Sequence, residues 1–244
     1  MADMLSDAQR AALERLAQDL ERVFAGRLES LVSYAGHQGD ETLHTLALVK
    51  GLGFKDLSAC VPLVDGWRRA RLAVPLMLSH DELQRTIDIF PLEYASIIAS
   101  AVVIRGANPF AGVEVPIADV RRACETQAKS HLIHLREGFL EARGDTAAIG
   151  SLITSSGAPF RTLLTNILRL PERGGDSFGP ALFSDESLAT GAEARIGVPR
   201  ALVREVLGAA HTGQTSIADP SALLARYIDA AGRIWEYVDG WKAE

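Results

Sequence analysis

The sequence lacks most of the features that announce a particular chemistry. It has only two cysteines, Cys60 and Cys124, in 244 residues. A disulfide framework would need more, and a structural zinc site would need paired spacing, so two reduced, buried thiols are expected. The longest apolar stretch, Ile97 to Ile104, is interrupted by Ser100. It falls far short of the roughly 20 residues that cross a bilayer. The segment Met1-Ala2-Asp3-Met4-Leu5-Ser6-Asp7 is acidic and has no apolar core. No secretory leader is therefore expected, and the cytoplasm is the predicted setting. There is no P-loop and no Gly-x-Ser-x-Gly elbow, and Gly51-Leu52-Gly53 lacks the third glycine of a dinucleotide fingerprint, so it reads as a turn. An excess of positive charge is also missing. The net charge of −6 argues against a general nucleic-acid binder, although Arg68, Arg69 and Arg71 cluster locally.

What is present is ordinary globular material. Hydrophobic residues make up 48% and charged residues 23%, enough apolar surface for a sizeable core without staples. The abundance of Ala, Leu, Arg and Gly points to a GC-rich bacterial genome. Leu13, Leu16, Leu20, Val23 and Phe24 recur at helical spacing behind Ser6 or Asp7, either of which can cap, and Gly26 ends that helix. Leu28–Tyr34 suits a strand, and Ala35-Gly36-His37-Gln38-Gly39-Asp40 suits a turn. Thr45–Val49 is continuously apolar and therefore reads as a central strand. A helical stretch over Asp56–Arg71 must place Pro62 in a first turn. Val74–Leu78 is a third strand. A helix over Asp81–Ile89, capped by Ser79 with Glu82 as its capping-box partner, is stopped by Pro91. A fourth strand lies within Tyr94–Ile104 and ends at Gly106.

The pattern changes near residue 115. Four helices are predicted beyond it: Pro116–Arg143, Asp145–Leu170 with Pro159 inside it, Pro199–His211, and one from Asp219-Pro220 to about Trp241. They should pack as a bundle. A Gly/Pro-rich loop begins at Pro171, and the stretch to Ala192 is expected to be the most mobile part. Two domains follow, 1–115 and 116–244. The expected fold class is α+β, a mixed sheet with flanking helices followed by a helical bundle, with Leu46, Leu48, Leu76 and Leu78 buried in the sheet.

Two local patterns carry a resemblance. One is Leu76-Met77-Leu78-Ser79-His80-Asp81-Glu82-Leu83, followed by Asp88-Ile89-Phe90-Pro91-Leu92-Glu93. The other is Arg121, Glu125, His131-Leu132 and Leu135-Arg136 on the long helix. Over roughly residues 10 to 170 the chain resembles nucleotidyltransferases of the DNA polymerase β superfamily. The resemblance implies a minimal nucleotidyltransferase-like α/β unit ahead of the bundle. It also implies a Gly-Ser turn after the first strand, and a D-x-D pair on the next strand holding two magnesium ions on the triphosphate. Here the first strand ends Tyr34-Ala35-Gly36-His37, without the serine. His44 and Leu46 stand where the two carboxylates would be, and the connecting loop is shorter.

Those departures set the functional expectation. A catalytically degenerate protein with a binding or regulatory role, its ligand a nucleotide or a protein partner and with no resident cofactor, is favoured. The alternative is an active transferase moving a nucleoside monophosphate from an NTP to a small-molecule, RNA or protein acceptor with magnesium. The candidate pocket comprises Gly36, His37, Asp40, Glu41 and His44, with Asp88 and Glu93 from the second motif. Asp40 and Glu41 are either replacement ligands or a solvated turn. Asp88 caps or braces, and Glu93 pairs with an arginine, if neither serves the site. Cys124, His131 and His134 lie at metal-compatible spacing on one helix, but core packing is the plainer reading. Trp235, Tyr237 and Trp241 either pack the bundle or form a patch for a partner.

Overall fold

The computed structural model describes residues 5–36, 42–171, 178, 184–213 and 217–241. The chain forms two compact units, Met1–Val115 and Pro116–Glu244. The first combines a four-stranded mixed sheet with flanking helices and the second is helical, so the fold is α+β.

The first unit opens with α1 (Asp7–Phe24), whose Ser6 hydroxyl accepts from the Gln9 amide while the Gln9 side chain accepts from the Ser6 amide. This reciprocal cap satisfies two of the free amides at a helix start. Strands β1 (Leu28–Tyr34) and β2 (His44–Val49) pair antiparallel, and β2 pairs in parallel with β3 (Leu76–Ser79). β4 (Val102–Gly106) lies antiparallel on the other side of β1, giving the order β3-β2-β1-β4. The crossover from β2 to β3 is built from α2 (Phe54–Cys60), a 3-10 turn (Val61–Leu63) and α3 (Val64–Arg69). Pro62 sits in the first turn of the 3-10 segment, where no amide is needed.

Both faces of the sheet are covered, which is why β2 reads as a continuous apolar run rather than an alternating one. Leu31, Ala47 and Val49 pack with Leu13, Leu16, Leu20 and Phe24 of α1 and with Trp67 and Leu72. Trp67 also donates through Nε1 to Asp19 at 2.9 Å. On the opposite face, Val32, Leu46 and Leu48 pack with Leu83 of α4 (His80–Thr86), Tyr94 and Ile97 of α5 (Pro91–Ser100), and Phe110.

Three expectations for this unit need correction. Pro91 does not simply stop a helix. It occupies the first turn of α5, which takes up Tyr94–Ser100, and the strand begins only at Val102. β3 is an edge strand, so Leu76 is 41% exposed and Leu78 only half-buried, whereas Leu46 and Leu48 are buried. α4 ends at Thr86, whose hydroxyl lies 2.6 Å from that of Tyr94, and Ile87–Ile89 is a turn.

The second unit contains five described helices rather than four: α6 (Ile117–Ala142), α7 (Thr146–Arg169), α8 (Asp185–Ile196), α9 (Arg200–Thr212) and α10 (Pro220–Asp239). α7 packs against each of the other four. α8 falls partly inside the stretch expected to be a mobile loop. It is capped by Ser184 and buries Leu188, Ala189 and Ala192; most of Pro171–Phe183 lies outside the described residues. Arg195 ties α8 to the end of α7 by donating to the carbonyls of Leu168 and Leu170, which have no acceptor role left within their own helix.

Candidate functional site

The register of β1 and β2 fixes the geometry around the expected pocket. Tyr34, the last residue of β1, pairs with His44, the first of β2, and their rings lie 5.7 Å apart at 39°. Burial pushes the Tyr34 hydroxyl above its ordinary pKa. Gly36 follows β1 and is half-buried. His37, Asp40 and Glu41 lie outside the described residues, so only Gly36 and His44 of that turn are placed.

Side chains alternate along a strand, so His44, Leu46 and Leu48 share one face with Val32 and Tyr34. Leu46 is fully buried there, within the cluster that contains Leu83, Tyr94, Ile97 and Phe110. The second position where the resemblance calls for a carboxylate is therefore an integral part of an apolar core. The first carries an imidazole against a tyrosine ring.

Asp88 and Glu93 lie at the surface, Asp88 in the turn after α4 and Glu93 in the first turn of α5. Asp88 caps neither helix. The residue before α5 is Phe90, which supplies no side-chain cap. No ion pair joins Glu93 to an arginine among the described residues.

The Gly51-Leu52-Gly53 turn is held by structure rather than by a ligand. Arg27 donates to the Gly51 carbonyl and to both oxygens of Asp56, at 3.1 and 2.6 Å, and Asp56 accepts from the Gly53 amide. These hydrogen bonds, Arg27 first, hold the Asp56 carboxyl below its ordinary pKa.

The histidines of α6 do not assemble a metal site. His131 points into the second unit's core, with Nε2 2.7 Å from the Tyr227 hydroxyl and its ring stacked on Phe160 at 5.8 Å. His134 is exposed and faces Glu137 at 3.3 Å. Cys124 is fully buried, and burial pushes its thiol up to about 12. Among the described residues no group of three or more His, Cys, Asp or Glu side chains could hold a metal ion.

Of the C-terminal aromatics, all half-buried, Trp235 lines a groove beside α6. The other wall is formed by α6 residues outside every candidate set, among them Arg122, Lys129 and Ile133. The signal in the sequence is a cation every seven residues, Arg122, Lys129 and Arg136. Among the described residues no helix is long and apolar enough to cross a membrane. No protein-family profile matches the chain, and no curated protein matches it by sequence.

Proposed function

We propose that this chain is a nucleotidyltransferase-like protein that has lost catalysis and serves a binding or regulatory role, taking a nucleotide or a protein partner. The observation that carries this reading is the burial of Leu46 inside the core packed on one sheet face, at a position where the resemblance demands a magnesium ligand. Magnesium takes hard oxygen donors in near-octahedral geometry. Leucine offers none, and the imidazole of His44 suits softer metals. A carboxylate introduced at 46 would be buried among Leu83, Tyr94, Ile97 and Phe110. Desolvating it without a partner is costly. The two free cysteines fit a reducing cytoplasmic setting.

The test is direct. Purified protein is incubated with labelled NTPs, magnesium or manganese, and a cell extract as the source of acceptors. The expected outcome is no labelled product and no tight metal-dependent NTP binding. Metal-dependent labelling that disappears in Asp40→Ala or Glu41→Ala would establish the alternative, an active transferase whose carboxylates have moved to the turn.

A further inference from the structure

Arg122, Lys129 and Arg136 stand seven residues apart on α6, and seven residues is nearly two helical turns. Thr126, Ile133 and Leu140 interleave them at spacings of three and four, so the six share one stripe. The core takes the opposite side of the helix, where Val120, Cys124, Ala128, His131 and Leu135 are buried. The stripe is open to solvent, with Ile133 41% and Leu140 73% exposed.

Trp235 of α10 turns the upper half of this stripe into a groove of about 550 Å³ with Arg122, Glu125, Thr126, Lys129, Ile133 and His134. The Lys129 ammonium lies 3.4 Å from the centre of the Trp235 ring, close enough for a cation–π contact against the groove wall. Two acids of α6, Glu125 and Glu137, lie beside the stripe. Glu125 accepts from Arg121 at 2.8 Å, and Glu137 faces His134 at 3.3 Å. Arg122 reaches Asp119 at 3.4 Å, while Lys129 and Arg136 have no carboxylate partner among the described residues. With Glu125 held by Arg121, the uncompensated charge of the groove and stripe is that of Lys129 and Arg136, set beside exposed apolar side chains on a chain whose net charge is −6.

The combination selects an occupant. A small anion would leave the exposed Ile133–Leu140 stripe uncovered. A second copy docking by the same face would bring the Arg122–Lys129–Arg136 rows of the two copies together, which repels. An amphipathic helix with carboxylates flanking an apolar ridge matches both the charge and the length. Tryptophan and arginine are the residue types that most often anchor such contacts. We propose that the α6–α10 groove docks an acidic amphipathic helix of a partner protein. Its apolar residues would lie on Ile133, Leu140 and the Trp235 ring, and its carboxylates on Arg122, Lys129 and Arg136. The site is independent of the transferase question, which concerns the other unit.

The experiment uses the full-length protein and two labelled helical peptides, one with Leu and Glu on a common face and one with Lys replacing every Glu. Binding is read by fluorescence anisotropy, and sedimentation velocity is run on the protein alone. The acidic peptide should bind saturably and weaken with added salt. Lys129→Glu combined with Arg136→Glu should weaken it about 10-fold or more and confer binding of the Lys peptide, a gain that no loss of folding can imitate. Leu57→Asp, an exposed position in the other unit, should leave binding unchanged. Equal binding of both peptides overturns the proposal, and so does no saturable binding of the acidic one. Self-association abolished by the charge reversal overturns it too and assigns the face to a second copy.

Discussion

At the scale of single residues, His131 is the most consequential ionisable group in the second unit. Burial first, and then the charge of nearby His134, hold its imidazole down to about 4 from the ordinary 6.5. The fold therefore keeps it neutral against Tyr227 and Phe160. Between those two values the unfolded chain binds a proton that the folded chain does not. The stability His131 contributes is fully present above about pH 6.5 and is lost as pH falls toward 4. At about 1.4 kcal/mol per pKa unit the full loss is about 3 kcal/mol, and about 2 kcal/mol is gone by about pH 5. Urea unfolding at about pH 7 and pH 5 checks this, with His131→Gln as the comparison. Wild type should lose stability over that interval by more than the variant does. A parallel decline of the two would assign the acid sensitivity to other groups. Cys124 also lies deep in this unit, its thiol held protonated by burial, so it should stay inert to thiol reagents in the folded state.

At the scale of elements, the decisive contact in the helical unit is the crossing of α7 and α9. A Cβ added at Gly157 would stand 2.4 Å from the Ala210 Cβ and 3.4 Å from the Val206 carbonyl. The two backbones approach as closely as they do because position 157 has no side chain. Gly157→Ala gains up to about 1 kcal/mol of helix propensity but forces the helices apart, at a typical cost of about 1–3 kcal/mol, so a net destabilisation is expected. Ala210→Gly in the same chain removes the obstructing methyl and should restore part of the loss. A double-mutant cycle of thermal or urea stabilities measures that coupling, and strictly additive effects would contradict the close crossing. How much of the fold was legible in the sequence follows the same physics. β2 was readable because a strand covered on both faces shows an unbroken apolar run, and α1 because one stripe faces a core. α8 was not, because Leu188, Ala189 and Ala192 bury mostly small side chains and leave no broad apolar stripe. The strand expected within Tyr94–Ile104 is present only from Val102, and α5 before it is hidden because Ile97 and Ile98 are β-branched and Pro91 reads equally as a stop or as a first-turn residue. The expected burial of Leu76 failed because strand order, which places β3 at the edge, is not written in local periodicity. Of the candidate pocket, the pairing of His44 with Tyr34 and the burial of Leu46 follow from strand register, whereas the groove beside Trp235 depends on which helices of the second unit become neighbours.

At the scale of the whole molecule, each unit has its own core. The first buries α1 against one sheet face and α4, α5 and Phe110 against the other. The second surrounds α7 and buries Leu132, Phe160, Leu164, Val203, Tyr227 and Ile234 among many others. The division falls between Val115 and Pro116, where an irregular segment gives way to the start of α6. A unit of about 130 residues with a contiguous core is large enough to fold alone, since such sizes bury well over half of the unfolded surface. A fragment spanning residues 116–244 should therefore be helical, monomeric and cooperatively unfolding, with the pH dependence that His131 gives the intact chain. It should also retain the α6–α10 groove, because all of the groove's lining residues belong to this unit. In the intact protein, unfolding should resolve into a transition reported by Trp67 in the first unit and one reported by Trp235 and Trp241 in the second. Replacing Trp235 and Trp241 with Phe leaves Trp67 as the sole indole, so its midpoint can be set against far-ultraviolet circular dichroism, which the long helices α6, α7 and α10 dominate. Coincident midpoints in the intact chain, together with a fragment that lacks helical signal, would mean that neither core is sufficient and that the molecule folds as one cooperative body. Distinct midpoints and a folded fragment would make the second unit a self-standing module.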